Sequence, residues 1–200
     1  MSLALEHYLN LSSHASPKEV FLAYTDIIGE HFALAGAKYV RSRPRITIAD
    51  GDVELELGFW SGRFNLAERH VQLEMVASYV FEPMRKEKLG KNGKHGLIWV
   101  SSGWLQTGLD LRANIYRQDA AQVADLISRI DKEIVLFCRT LQREQQLRAH
   151  IDAFGTDEIV RQESTNCSIR AYLVRTFPQL AAEIAWNATP RGPARDRRTR

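Results

Sequence analysis

Apolar and polar residues alternate with a period of two through the middle of this chain, and recur at helical spacing on either side of it. Val53, Leu55, Leu57 and Phe59 interleave with Asp52, Glu54, Glu56 and Gly58, and Val71, Leu73, Met75, Ala77, Tyr79 and Phe81 repeat the pattern. Strand side chains point alternately to two faces, so each segment sets one face on a core and leaves the other to water or a partner. Residues 39–48 read as a preceding strand, turned back at Ala49-Asp50-Gly51-Asp52, where Asp-Gly accepts the positive φ of a tight hairpin. Residues 53–60 return antiparallel, Ser61-Gly62 turns again, and roughly residues 64–81 form a long third strand stopped by Pro83. Residues 97–100 and 109–115 are further strand candidates.

The helical signals flank this block. Ser16-Pro17-Lys18-Glu19 combines an N-cap, a proline at the first helical position and a capping-box acid. Val20, Phe21, Tyr24, Ile27, Ile28 and His31 then share one stripe, and the helix runs to about Ala35 with Gly36 as its stop. Residues 1–14 read as a short extra turn or an ordered arm. Asp119 with Gln122 opens a second helix, whose Val123, Leu126, Ile127, Ile130, Ile134, Phe137, Cys138 and Leu141 form the stripe that covers a sheet. Helix continues toward His150. Further apolar positions from Ile159 to Trp186 predict two or three short C-terminal helices, broken near Pro178.

The fold class read from this order is α+β: an antiparallel sheet of about four to five strands packed against an N-terminal helix and a long helix, with a helical C-terminal extension. The expected organisation is an α+β domain over 1–150, a helical extension packed on it over 151–188, and a disordered basic tail over 189–200. Residues 82–89 read as short, charged and helical, and the glycine-rich 90–96 as a flexible loop.

Composition narrows the picture mainly through charge. The net charge is +3, but Arg191, Arg195, Arg197, Arg198 and Arg200 crowd the last ten positions beside one acid, Asp196. Without that segment the chain holds 22 basic and 23 acidic residues, so the basicity belongs to a tail and the body is near neutral. No apolar run approaches the roughly 18 residues of a membrane span, and residues 1–10 carry no basic cluster ahead of an apolar stretch. The cytosol is the expected compartment. Cys138 and Cys167 stand apart without metal or redox spacing, so both read as inert and no structural disulfide is expected.

The chemistry-bearing motifs are few. Gly90-x-x-Gly93-Lys94-His95 lacks the spacing and the Ser/Thr of a phosphate-binding loop. His7, His14, His31, His70, His95 and His150 are scattered without ligand spacing, so no metal is expected and no cofactor is implied. Glu54 and Glu56, with Glu74 opposite and His70 near, are the only carboxylate constellation suited to acid–base work; solvated charges balancing a neighbouring strand explain them more simply. No nucleophile signature accompanies them, so no catalytic residue is assigned. Arg41, Arg43 and Arg45 alternate along one predicted strand face, and basic residues among aromatics can track a single nucleic-acid strand. Glu54 and Glu56 across the hairpin would neutralise them. The surface that remains is Arg41, Arg43, Arg45, Glu54 and Glu56 edged by Trp60, Trp99 and Trp104, residue types that carry much of the energy of protein interfaces.

The opening helix into "LAGAKYVRSRPRITI", the hairpin over Asp50-Gly51, the "VQLEMVASYVFEP" strand, Trp104-Leu105 and the "DAAQVADLISRIDKEIVLFCRTL" helix together resemble the bacterial domain-of-unknown-function family 4304, over about residues 15–150. The sequence departs from that pattern at Glu54, Leu55 and Glu56, where the family carries a more polar strand. The resemblance implies a compact α+β bacterial protein from toxin–immunity or defence neighbourhoods, and brings no catalytic residues. The leading expectation is a non-enzymatic protein-binding module, in concrete form an immunity-type inhibitor. The alternatives are a nucleic-acid-associated accessory protein using the arginine strand and tail, and an enzyme with an unrecognised carboxylate site.

Overall fold

The computed structural model describes residues 2–83, 97–99, 112–154 and 169–184. The chain opens with α1 (Leu3–Leu9), capped by Ser2, then α2 (Pro17–Leu34). At the start of α2 the Ser16 side chain accepts from Glu19 N–H while the Glu19 carboxylate accepts from Ser16 N–H, the reciprocal box read in the sequence. Gly36, at φ 90°, follows the helix end as expected.

The sheet is antiparallel throughout and α+β is the class of the fold. Its strands are β1 (Lys38–Val40), β2 (Arg45–Asp50), β3 (Val53–Ser61), β4 (Gln72–Phe81), β5 (Leu97–Trp99) and β6 (Arg112–Asn114). They order as β1-β2-β3-β4-β5, with β6 also on β4; β6 pairs its Gln72–Glu74 end and β5 its Ser78–Val80 end. The β2–β3 turn at Gly51 takes φ 62°, and a Cβ there would overlap the Gln142 side chain that grips the turn. Gln142 accepts from Asp52 N–H at 3.2 Å and donates to the Asp50 carbonyl at 2.7 Å.

Three expectations about strands and helices need correction. Residues 39–48 are not one strand: β1 ends at Val40, and residues 41–44 turn the chain back onto itself. Pro44 explains the break, because it lacks the N–H a ladder needs. The third strand begins only at Gln72, since Asn65 ties residues 61–72 into a loop, donating to the Ser61 hydroxyl at 2.6 Å and accepting from Gln72 N–H at 2.8 Å. The covering helix is segmented: α3 (Ala120–Arg129), a π-helical stretch (Ile130–Val135), α4 (Phe137–Leu141) and, after a break at Gln142, α5 (Glu144–Phe154).

The odd-numbered residues of β3 and β4 make the inner face, and Leu55, Leu57, Leu73 and Tyr79 on it are essentially inaccessible. A leucine so placed contributes about 2–3 kcal/mol of transfer free energy. Against this face pack Phe137, edge-on to Tyr79 at 5.3 Å, and Tyr172 of α6 (Ile169–Thr176), edge-on to Phe81 at 4.8 Å. Tyr79 donates its hydroxyl to the Ile134 carbonyl at 2.6 Å, and the Tyr172 hydroxyl donates to the Leu141 carbonyl. Leu180 and Ile184, on and just after α7 (Pro178–Glu183), join the same core, and Arg148 of α5 pairs with Glu183. The first residues also belong to it: Tyr8 is buried, donates to the Ile115 carbonyl at 2.5 Å and meets Tyr24 edge-on. His31, read from spacing as part of the buried stripe, is exposed beside Phe32.

Candidate functional site

The even-numbered residues of β3 and β4 form the other side of the sheet. In register, Thr47 faces Glu56, Ala49 faces Glu54 and Arg45 faces Gly58, while Glu54, Glu56, Gly58 and Trp60 face Val80, Ser78, Val76 and Glu74. Directly paired residues share a side, so these positions make one mixed-charge surface. Arg45 lies 3.8 Å from Glu56, and Arg112 of β6 lies 3.9 Å from Glu74. Such solvent-facing pairs contribute about 0–1 kcal/mol to stability. Their consequence is a surface of mixed charge, with the carboxylates of Glu54, Glu56 and Glu74 set between Arg45 and Arg112.

The structure brings together only part of the residue set read from the sequence. Arg41 and Arg43 leave the strand for the β1–β2 turn, where Arg41 pairs with Asp26 of α2 at 2.7 Å and Arg43 is exposed. The alternating arginine face is therefore absent, and of the charged candidates Arg45, Glu54 and Glu56 share the sheet surface, with Trp60 on the same side. Glu74 does not stand opposite Glu54 or Glu56. It sits four positions from Ser78, the partner of Glu56, about 13 Å away along the strand. The carboxylate constellation thus does not converge. Trp99 pairs in register with Ser78, while Trp104 and the tail arginines Arg191, Arg195, Arg197, Arg198 and Arg200 lie outside the described residues.

Trp60 defines the open end of this surface. Its ring folds back over Gly58, where a Cβ would overlap it, so glycine is what lets the indole lie flat on the sheet. The side chain remains 52% exposed, and on the loop beyond it Phe64 is 84% and Leu66 58% exposed. That loop is held in shape by the Asn65 hydrogen bonds, by a bridge between Leu66 and His70, and by Glu68, at φ 65°, whose carboxylate meets His14 at 2.6 Å. The opposite end is closed, with Val80 buried. Three exposed large apolar residues, Trp60 near the end of β3 and Phe64 and Leu66 on the loop that follows, thus adjoin a strip of mixed charge. Neither Phe64 nor Leu66 was singled out by sequence; their signal was two large apolar residues in a polar stretch that breaks alternation.

Two buried ionisable residues on the helical side were also missed. Glu133, on the π-helical stretch, and His150, on α5, line a cleft of about 360 Å³. The Glu133 side chain is 2% exposed with Arg129 Nε 3.9 Å away, and the His150 ring tilts against Phe137 at 4.9 Å. Their signal was available: Glu133 stands at helical spacing between Ile130 and Phe137, and His150 between Leu147 and Phe154. Cys138 on α4 is fully buried, and burial pushes its thiol up to about 12. Among the described residues no three His, Cys, Asp or Glu side chains gather into a metal-holding group, and no helix is long and apolar enough to cross a membrane. No protein-family model, no curated protein and no solved structure matches the chain.

Proposed function

We propose that this protein is a protein-binding module whose partner docks on the Trp60–Phe64–Leu66 end of the outer sheet surface and extends along the strip of Arg45, Glu54, Glu56 and Glu74. The observation that carries the reading is the exposure of Trp60 near the end of β3 and of Phe64 and Leu66 on the loop that follows it, a loop braced by its own hydrogen bonds. A loop already fixed by its own hydrogen bonds loses less entropy on binding, and tryptophan is among the residue types that contribute most at interfaces. A partner with both signs of charge fits the strip, in which Arg45 on β2 and Arg112 on β6 flank the carboxylates of β3 and β4. An immunity-type inhibitor of a toxin or defence component is the concrete form, as the family resemblance implies.

The nucleic-acid reading loses its strand half with the departure of Arg41 and Arg43 from the sheet. The enzyme reading loses its convergent carboxylates.

A photo-crosslinking residue placed at Phe64 in the producing cell tests the proposal against the same residue placed at Val174, exposed on α6. Position 64 should yield one discrete protein adduct that Trp60→Ala diminishes, and position 174 should not yield it. Identical adducts from both positions, or none from position 64, would end the reading.

A further inference from the structure

The helical side carries a second surface, of a different character from the outer sheet. The cleft of about 360 Å³ is bordered by the π-helical stretch and α4, with Gln146 and His150 contributed by α5. Its floor is already satisfied: the Glu133 side chain is 2% exposed and paired with Arg129, so the cleft offers no accessible carboxylate. Solvent meets the rim instead. Lys132 and Arg143 are exposed there, and neither side chain has an ionic or hydrogen-bond partner among the described residues. Arg139 also lines the cleft and shares Asp50 at 3.4 Å. The accessible charge of the cleft is therefore positive.

Leu136 adds an apolar contact among these cations. It follows the π-helical stretch, whose wide turn is closed by Leu136 N–H donating to the Asp131 carbonyl at 3.1 Å, and it is 42% exposed. Such turns are uncommon and concentrate at functional sites. Leu136 and Arg139 also border a second hollow of about 410 Å³, walled by Phe32, Ile48 and Val135. The exposed Asp131 lines that second hollow and not the first, so charge directs an acidic ligand to the first alone.

Spacing sets the size of that ligand. Lys132 and Arg143 are eleven residues apart, which is about 16 Å of helical rise. One inorganic anion does not bridge such a gap. An extended chain covers it in about five residues and can set an apolar side chain on the leucine between.

We infer that this cleft docks a short acidic segment of a protein partner, with carboxylates on Lys132 and Arg143 and an apolar side chain on Leu136. The surface is separate from the Trp60 end of the sheet and does not depend on the function proposed there.

Amide NMR titration of the full chain tests this with the end-capped peptide Glu-Glu-Ala-Leu-Ala-Glu-Glu. The controls are the same peptide with serine for its leucine, the same with lysine for every glutamate, and an oligothymidylate of equal length, each taken to about 1 mM. The acidic leucine peptide should shift Leu136, Thr140 and Arg143, and bind about threefold or more tightly than the serine version. The lysine peptide should leave these amides unshifted. Lys132→Glu with Arg143→Glu, both at exposed positions, should abolish binding of the acidic peptide and transfer the shifts to the lysine peptide, while amides remote from the cleft report that the variant is folded. No cleft shift with the acidic peptide, equal binding of the lysine peptide, tighter binding of the oligothymidylate, or unchanged binding by the double variant overturns the assignment.

Discussion

Two arginine–glutamate pairs of nearly equal length lie on opposite sides of this molecule. Arg45 and Glu56 stand 3.8 Å apart on the open sheet, where the glutamate side chain is 33% exposed; Arg129 and Glu133 stand 3.9 Å apart at the helical cleft, where it is 2% exposed. Distance alone would rank them equal. Solvent separates them: water screens and replaces the first pair, whereas the second glutamate has given up its hydration. The outer surface therefore tolerates change and is shaped for encounter, while the helical side ties its charges into the stability of the fold.

The contrast can be broken or sharpened in order of expected size. Leu57→Ala, on the inner face, should destabilise by about 3 kcal/mol in urea unfolding, and a loss below about 1 kcal/mol would mean that the helices do not close on the sheet as described. Alkaline pH comes next. Burial raises the Cys138 thiol from its ordinary value of 9.0 to about 12 and pushes Tyr39 up to about 12. Both groups are neutral when protonated, so between about pH 9 and about 12 the folded chain holds protons that the unfolded chain releases. Their contribution is complete below pH 9 and should be lost progressively as pH rises through about 12, measured by unfolding at stepped pH. In a Cys167→Ser background, Cys138 should resist a thiol reagent at pH 8 when native and react on unfolding; prompt native reaction would contradict its burial.

Arg129→Ala should follow, at about 2 kcal/mol, less than the loss for a fully buried pair because the arginine is itself partly exposed. Arg45→Ala and Glu56→Ala should be smallest, each within about 0.5 kcal/mol. If Arg45→Ala matched Arg129→Ala, the distinction between the two sides would fail.

Much of the frame was legible because its signals are local. Ser16 and Glu19, and Asp119 and Gln122, each satisfy the other's backbone within one helical turn, and both boxes form. Gly51 supplies the positive φ of the hairpin, and alternation in 53–59 and 73–81 gave the buried face correctly. The errors arose where a local pattern met a stronger constraint. Arginines spaced by two suggested a strand through Pro44, which cannot donate to the ladder. The third strand was read from about residue 64 to Phe81, but Asn65 diverts the chain before Gln72 into a hydrogen-bonded loop. Of the candidate surface, Arg45, Glu54, Glu56 and Trp60 were legible; its exposed apolar end was not, because exposure depends on what packs elsewhere.

The sequence by itself determined the class of the fold, the position of its caps and turns, and which face of the central strands is apolar, since each follows from the conformational preference of a few neighbouring residues. Only the tertiary structure decided that Arg41 turns to Asp26, that Glu74 stands apart from Glu56, and that Glu133 and His150 share a cleft. Those outcomes depend on which distant segments meet and exclude water between them, and no short stretch of sequence carries that information.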